Sequence, residues 1–551
     1  MRITLGLFLS ILALHAPAAE LPTIVLTADD TEIAESCIVD VPPGVVIEDR
    51  NTNGVIRVVA GDLRIRFTER SVLRGATNGA PGNTLRGIGI RIEGQKNVVI
   101  ERARVAGFKN GVVASEADGL IIEGGEFSDN YRQRLKSTRA GESNEDWIFP
   151  HHNDRVKWRD QYGGAICIER STNVIVRRVR VRRTQNGILL DRVNDSILYD
   201  NDCSYLSGWG LGMWRSSGNK IQRNAFDFCV RGHFEDVYNR GQDSAGMLVF
   251  EQCNNNLFAE NSATHGGDGF FGFAGHAAIG DTWWAVERQR LRGELKRENV
   301  DDVIRPPEEL VRVLSSQGCN GNILIGNDFS YASAHGIELT FSEDNKIVKN
   351  RIVENGICGF WGGYSSRTLI AENDFRGNGG MGYGLERGAI NMEHAAQNWI
   401  LANDFINNKA AVHLWWDDDG LLMRLPGVTG NERGVTGNVI AGNRFEVNRD
   451  ADFKRIQPTT RFPILQLRDT SKRSFGTNYY IRNTVRLKHP LAVELQMQDG
   501  TDINRGETIE MPAYDIPKFQ PLGSRNPIGA RRQWRGRNHI VMTEWGPKEY
   551  D

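Results

Sequence analysis

Apolar residues along this chain come in short runs that alternate with polar positions and are broken by Gly, Asn and Asp. Alternation over a few residues predicts half-buried strands, and the breakers predict turns. One phrase recurs: an apolar pair, a spacer and an asparagine. It reads Ile197-Leu198-Tyr199-Asp200-Asn201, then Ile221-Gln222-Arg223-Asn224, then Leu257-Phe258-Ala259-Glu260-Asn261. It returns at Asn327, Asn350, Asn373, Asn403 and Asn443, and its shortest interval is 23 residues. The longer intervals read as the same unit carrying loop insertions. Self-similarity at a fixed period is the mark of a solenoid. The unit is too short for a helix pair with its turns, and the Leu/Asn spacing of leucine-rich repeats is absent. Stacked strand-and-turn units give parallel sheets whose side chains alternate between core and solvent. The recurring Asn predicts a ladder: it tolerates a left-handed turn, and its amide can bond the same position one turn on.

These repeats resemble the right-handed parallel β-helix group, the pectin-lyase-like architecture. The resemblance covers roughly residues 87–447 and implies an all-β solenoid of about eleven turns, a rod of roughly 50 Å at ~4.8 Å per turn. The phrases HHND…W…YGGAI, NSATHGGDGFF, HGIELTFSEDN and WGGYS are also similar to those of uncharacterised exported bacterial β-helix proteins. That likeness strengthens the fold and brings no activity with it. The Asp-Asp pattern associated with β-helix polygalacturonases is absent.

Residues 1–18 read as a signal peptide: Arg2, an apolar stretch from Ile3 to Leu14, and Ala16-Pro17-Ala18 as a cleavage site. A secreted or periplasmic protein with no membrane span is therefore expected. Residues 19–85 read as an N-terminal cap and first strands. The β-helix is expected over 86–450, with insertions at 130–162 and 276–317, and a capping region over 451–551 that includes Arg531-Arg532. Within the second insertion, residues 287–295 read as a polar helix lying over one side. With 60 Gly and 17 Pro, turns are abundant without a collagen period. A formal charge of −2 argues against nucleic-acid binding. The expected state is a monomer.

Seven cysteines in 551 residues do not make a disulfide framework and read mostly as core fillers. Cys253 and Cys319 each stand three residues before matching asparagines, so they are expected to stack on adjacent turns, with a bond between them left open. No Cys or His spacing matches a structural zinc site, and no metal site is assigned. His151-His152-Asn153-Asp154 reads as a loop turn.

Aligning the strand that follows each ladder Asn gives an expected outward column: Gly212/Trp214, Phe271/Phe273, Glu338/Thr340, Phe360/Gly362, Asn391/Glu393 and His413/Trp415. Exposed aromatics beside carboxylates suggest a groove for a sugar chain, rings stacking on pyranose faces and polar groups fixing hydroxyls. The competing expectation is that the insertions cover this face. Asp268, His335, Glu338 and Glu393 are the candidate catalytic residues, because stacked turns bring Asp268 against His335 as an oriented base. Trp214, His265, Phe271, Phe360, Trp361, Arg387, His394, His413 and Trp415 are the candidate substrate contacts. A hydrolase would use Glu338 with Glu393 or Asp268. A lyase acting on a uronate would use His335 or His265 as base, with Arg387, Arg215 or a bound Ca²⁺ to neutralise the sugar carboxylate. The alternative is a non-catalytic exported β-helix that binds glycans or assists surface or periplasmic assembly.

Overall fold

The computed structural model describes residues 21–138, 140–232, 241–380, 384–449, 461–469, 477–497, 503–506, 514–524 and 540–549. Residues 1–18, expected as a signal peptide, and the Arg531-Arg532 pair lie outside them. The chain winds into stacked turns that build two long parallel sheets. One has 16 strands, from Thr23–Val25 to Ile503–Asn504, and the other has 15, from Thr31–Ile33 to Ala492–Met497. A third face carries a five-stranded sheet from Arg351–Val353 to Thr484–Leu487. The eleven turns expected over about 87–447 are present, and the coil runs on beyond them at both ends. Residues 23–67, expected as a cap and first strands, and 462–504, expected as a cap, add strands to the same sheets. Residues 23–67 lack the apolar-pair-plus-Asn phrase on which the count rested, whereas Tyr480-Ile481-Arg482-Asn483 carries it and was passed over. At ~4.8 Å per strand the coil is about 70 Å long.

The ladder runs as a relay of buried amides. Asn201 Nδ2 donates to Asn224 Oδ1 at 2.9 Å, and the chain continues through Asn261, Asn327, Asn350, Asn373, Asn403 and Asn443 to Asn483 at 2.9–3.1 Å per step. Each amide also donates to a carbonyl further back, as Asn261 does to Ile221 at 2.8 Å. The left-handed turn falls one residue earlier than expected. Asp200 (φ 57°), Arg223 (φ 53°), Glu260 (φ 54°) and Lys349 (φ 55°) adopt it, not the asparagines. That bend turns the following side chain inward, where only a group that both donates and accepts can be buried in a repeating column. Beside the ladder the core stacks like on like: Phe375, Phe405 and Phe445 have centroids 5.0 and 4.9 Å apart.

Leu257 pairs with Ile323, an offset of 66 residues. The same offset separates Cys253 from Cys319, so the two do stack on adjacent turns. Both are fully buried and unbridged, and burial pushes both thiols up, Cys319 to about 12. They are core fillers.

Three insertions sit on the outer face of the 15-stranded sheet. The first packs Trp158 and Tyr162 onto Trp209 and Trp214. The second contains the expected helix, Asp281–Leu295, with shorter helices His276–Ile279 and Glu308–Leu314. It buries Ile279, Trp284, Val300 and Ile304 against Leu425 and Val428 of a third insertion, which the sequence did not reveal. Between these covers a short stretch of sheet stays accessible.

Candidate functional site

Register fixes what that stretch presents. One outward column reads Gly212, Leu248, Phe271, Glu338, Trp361, Asn391 and His413. Phe360 pairs with Ile337 and Ile390 and lies wholly in the core, so the expectation that it faces outward is corrected. Trp361 takes its place. Side chains alternate with period two, so a one-residue error in aligning the Gly359–Gly362 segment flips the face. The strand Ala245–Phe250, absent from the sequence alignment, adds Leu248 and Phe250.

Several expected sugar platforms point outward but are covered. Trp214 is 1% exposed and donates from Nε1 to Asp154 at 3.1 Å. Phe271 packs under the first insertion with Phe250. Trp415 is bound through Nε1 to Asn391 Oδ1 at 2.8 Å. His413 lies 3.0 Å from both Asn391 Nδ2 and the Leu385 carbonyl. Burial and the nearby Arg387 lower it to about 3, so it stays neutral. These groups instead pin the loop carrying Glu386 and Arg387. His265 stands in an aromatic stack between Phe228 and Tyr331, at 4.5 and 4.7 Å, rather than beside His335. His151 packs against Phe250, Phe273 and His276 within a turn, as expected of a loop.

The expected Asp268–His335–Glu338 grouping is present, and a fourth member joins it. His335 Nδ1 lies 3.2 Å from both Asp268 Oδ1 and Glu338 Oε2. Its backbone N–H donates to Asp268 at 2.8 Å. Glu386 Oε2 stands 3.4 Å from Nε2, an ion-pair contact longer than a well-formed hydrogen bond. Burial opposes charge on this imidazole, but Asp268, Glu338 and Glu386 outweigh it and hold His335 well above its ordinary range. An imidazolium has no lone pair with which to take a proton. The geometry therefore makes His335 the group that fixes two carboxylates, one at each end of its ring. Those carboxylates, unlike Asp268 and His335, keep some solvent contact, at 13% for Glu338 and 14% for Glu386. The Trp361 ring stacks on His335 at 5.7 Å and 20° and is itself partly open.

Next to this trio stands Arg387, and two further cations, Lys409 and Arg468, lie close enough to interact with it. Burial and Arg468 pull the Arg387 guanidinium below its ordinary range. Burial and Arg387 do the same to Lys409. Arg387, Lys409 and Arg468 make no ion pair among the described residues, and the Nε atoms of both arginines are buried without a hydrogen-bond partner. Arg387, Glu338, Glu386 and His335 all act on the buried Cys358 thiol, which marks them as one neighbourhood.

Beyond Trp361 lies an acidic group. A Cβ on Gly363 would sit 3.3 Å from the Trp361 ring and 3.7 Å from Glu393 Oε2. Burial, then Asp419 and Asp417, push Glu393 up to about 9. His394 Nδ1 is held by Glu432 at 2.5 Å, and its ring stacks on Tyr364 at 4.2 Å. Sequence reading missed Glu386, Arg468, Lys409, Asp417, Asp419 and Glu432. The Asp417-Asp418-Asp419 run was a visible signal; the others sit in loops whose return to the sheet no periodicity announces.

Two family models match: one described as right handed beta helix region, over residues 311–425, and one described as periplasmic copper-binding protein (NosD), over residues 24–265. Among the described residues of that second span, no three His, Cys, Asp or Glu side chains converge closely enough to hold an ion. No curated protein matches the chain. Solved structures that resemble it include the mannuronan C-5 epimerase A-module of Azotobacter vinelandii, at 14% identity over 86% of this chain and 92% of that one, with a TM-score of 0.37. The Dettilon tailspike protein aligns at 12% identity over 82% and 62%, TM-score 0.36. A thermostable α-1,3-glucanase catalytic unit of Streptomyces thermodiastaticus aligns at 9% identity over 86% and 64%, TM-score 0.36. The long parallel sheets and the matched family model together make this chain a right-handed parallel β-helix repeat protein.

Proposed function

We propose that the protein is an exported enzyme that cleaves an acidic polysaccharide by β-elimination at the Glu338–Glu386 site. The observation that carries this is the pairing of two fixed carboxylates with three unpaired cations, Arg387, Lys409 and Arg468. A polymer of uronic acids offers what those cations lack. With its carboxylate neutralised, the C5 proton becomes acidic enough for a carboxylate base to remove. Glu338 takes that proton, the C4–oxygen bond breaks to leave a C4–C5 double bond, and the departing oxygen gains a proton from water. His335 holds Glu338 and Glu386 in place, and Trp361 offers a ring for a sugar face. Export is supported by the N-terminal signal pattern and by the periplasmic description of the matched family. No described helix is long and apolar enough to cross a membrane.

The two carboxylates at opposite ends of one imidazole also suit hydrolysis, with one as acid and the other as base. A panel of polyuronates and neutral glucans separates the readings. Elimination gives new reducing ends together with ultraviolet absorbance of the unsaturated product, on polyuronates only. Hydrolysis gives reducing ends without that absorbance. Affinity for a polyuronate with neither signal would leave a binding protein, the alternative that the sequence also allowed.

A further inference from the structure

The acidic group beyond Trp361 has no part in that chemistry. Glu393 ends the strand Gly388–Glu393, and His394 follows it. Asp417 and Asp419 follow the strand Val412–Trp416, the next in the sheet. Parallel stacking therefore delivers both pairs to one edge. A nitrogen of His394 and one oxygen from each of Glu393, Asp417 and Asp419 lie within 4.8 Å of one another.

Carboxylates alone would not define a site, but the imidazole is built in a particular way. His394 is 5% exposed. Glu432 Oε2 engages Nδ1, and Nε2 is buried with no hydrogen-bond partner. Asp417 Oδ1 is likewise buried and unpartnered. Glu432 is itself fixed, accepting from Trp416 Nε1 at 3.1 Å and from the Gly434 N–H at 2.7 Å. Tyr364 holds the ring from one face and donates its hydroxyl to Asp419. A carboxylate on one nitrogen, with the other nitrogen buried and unpartnered, is the arrangement that orients a metal-ligating histidine.

We propose that Glu393, His394, Asp417 and Asp419 bind a divalent first-row transition-metal ion of the Mn²⁺ or Zn²⁺ class, with Glu432 as the residue that positions His394. One imidazole and three carboxylates suit such borderline ions; Ca²⁺ takes oxygen donors only, and soft ions want thiolates. Metal–donor lengths of ~2.0–2.2 Å put donors ~3–4 Å apart, so the group closes by at most about 1–2 Å on binding. The ion would neutralise the three carboxylates in a wall of the site beside Trp361.

The untagged full-length protein, stripped with a chelator and dialysed against Mn²⁺, Zn²⁺ or Ca²⁺ singly, tests this by metal analysis and calorimetry. About one Mn²⁺ or Zn²⁺ per chain is expected, undisplaced by excess Ca²⁺, together with a raised melting temperature. His394→Ala should abolish uptake. Glu432→Gln, which keeps a hydrogen-bonding group on His394, should fold and weaken the same ion about 10–100-fold. Substoichiometric uptake by the wild-type chain, displacement by Ca²⁺, or unchanged affinity in a folded His394→Ala or Glu432→Gln variant would overturn the proposal. None of these readouts depends on cleavage of a polysaccharide.

Discussion

Replacing Glu338 by Gln should lower polysaccharide turnover by about two to four orders of magnitude, the usual worth of a positioned acid–base group. The melting temperature should move by no more than a few degrees. Gln keeps the size of Glu and an oxygen that can still accept from His335 Nδ1, so packing and the hydrogen bond at 3.2 Å survive while the proton acceptor is lost. His335 is a poorer probe of catalysis. It is 2% exposed between three carboxylates, and His335→Ala would leave those acids facing one another without a cation. Removing one member of a buried charged group costs about 3–5 kcal/mol. That variant should therefore lose both stability and activity, and its inactivity alone would say nothing about chemistry. Full activity in a folded Glu338→Gln chain would move the reaction elsewhere.

The largest effect on stability is expected far from the site, in the ladder. Asn327 accepts from the Asn261 N–H and Nδ2 at 2.9 and 3.0 Å, and donates to the Phe258 carbonyl and Asn350 Oδ1 at 3.0 Å each. It is 1% exposed. Asn327→Ala leaves the Asn261 N–H and the Phe258 carbonyl without that partner, each costing about 1–3 kcal/mol, and removes one of the two bonds made by Asn261 Nδ2 and by Asn350 Oδ1, less whatever water or repacking recovers. A loss of about 3–6 kcal/mol is expected, read as a lower denaturant midpoint. Val286→Ala, on the solvent side of the inserted helix, should stay within about 0.5 kcal/mol. If the two variants behave alike, the asparagine column is incidental to the coil.

That column is also why the fold was legible. A buried amide must recur in step with the turns, so Asn201 to Asn443 betray the period however long the loops between them. Where the phrase is absent, as in residues 23–67, alternation alone did not identify the same sheets, and the rung at Asn483 was passed over although the ladder reaches it. The site was half legible. Asp268, His335 and Glu338 belong to the sheet, and the repeat placed them on adjacent turns. Glu386, Arg387 and Arg468 depend on how a loop and a late turn fold back, which no local pattern records. Trp361 was displaced by one residue because Gly359 and Gly362 gave two ways to align a strand with few side chains. The covered aromatics, Trp214, Phe271 and Trp415, show the limit of a surface argument. A strand pattern distinguishes outward from inward, but an insertion decides whether outward means solvent.

The most direct test is a crystal structure of the Glu338→Gln chain with an oligouronate that the wild-type protein cleaves. The sugar is predicted to lie against Trp361, with one carboxylate held by Arg387 and Arg468 and the C5 carbon facing residue 338. An oligosaccharide bound away from Trp361, or one whose carboxylates avoid Arg387, Lys409 and Arg468, would contradict that placement of the site.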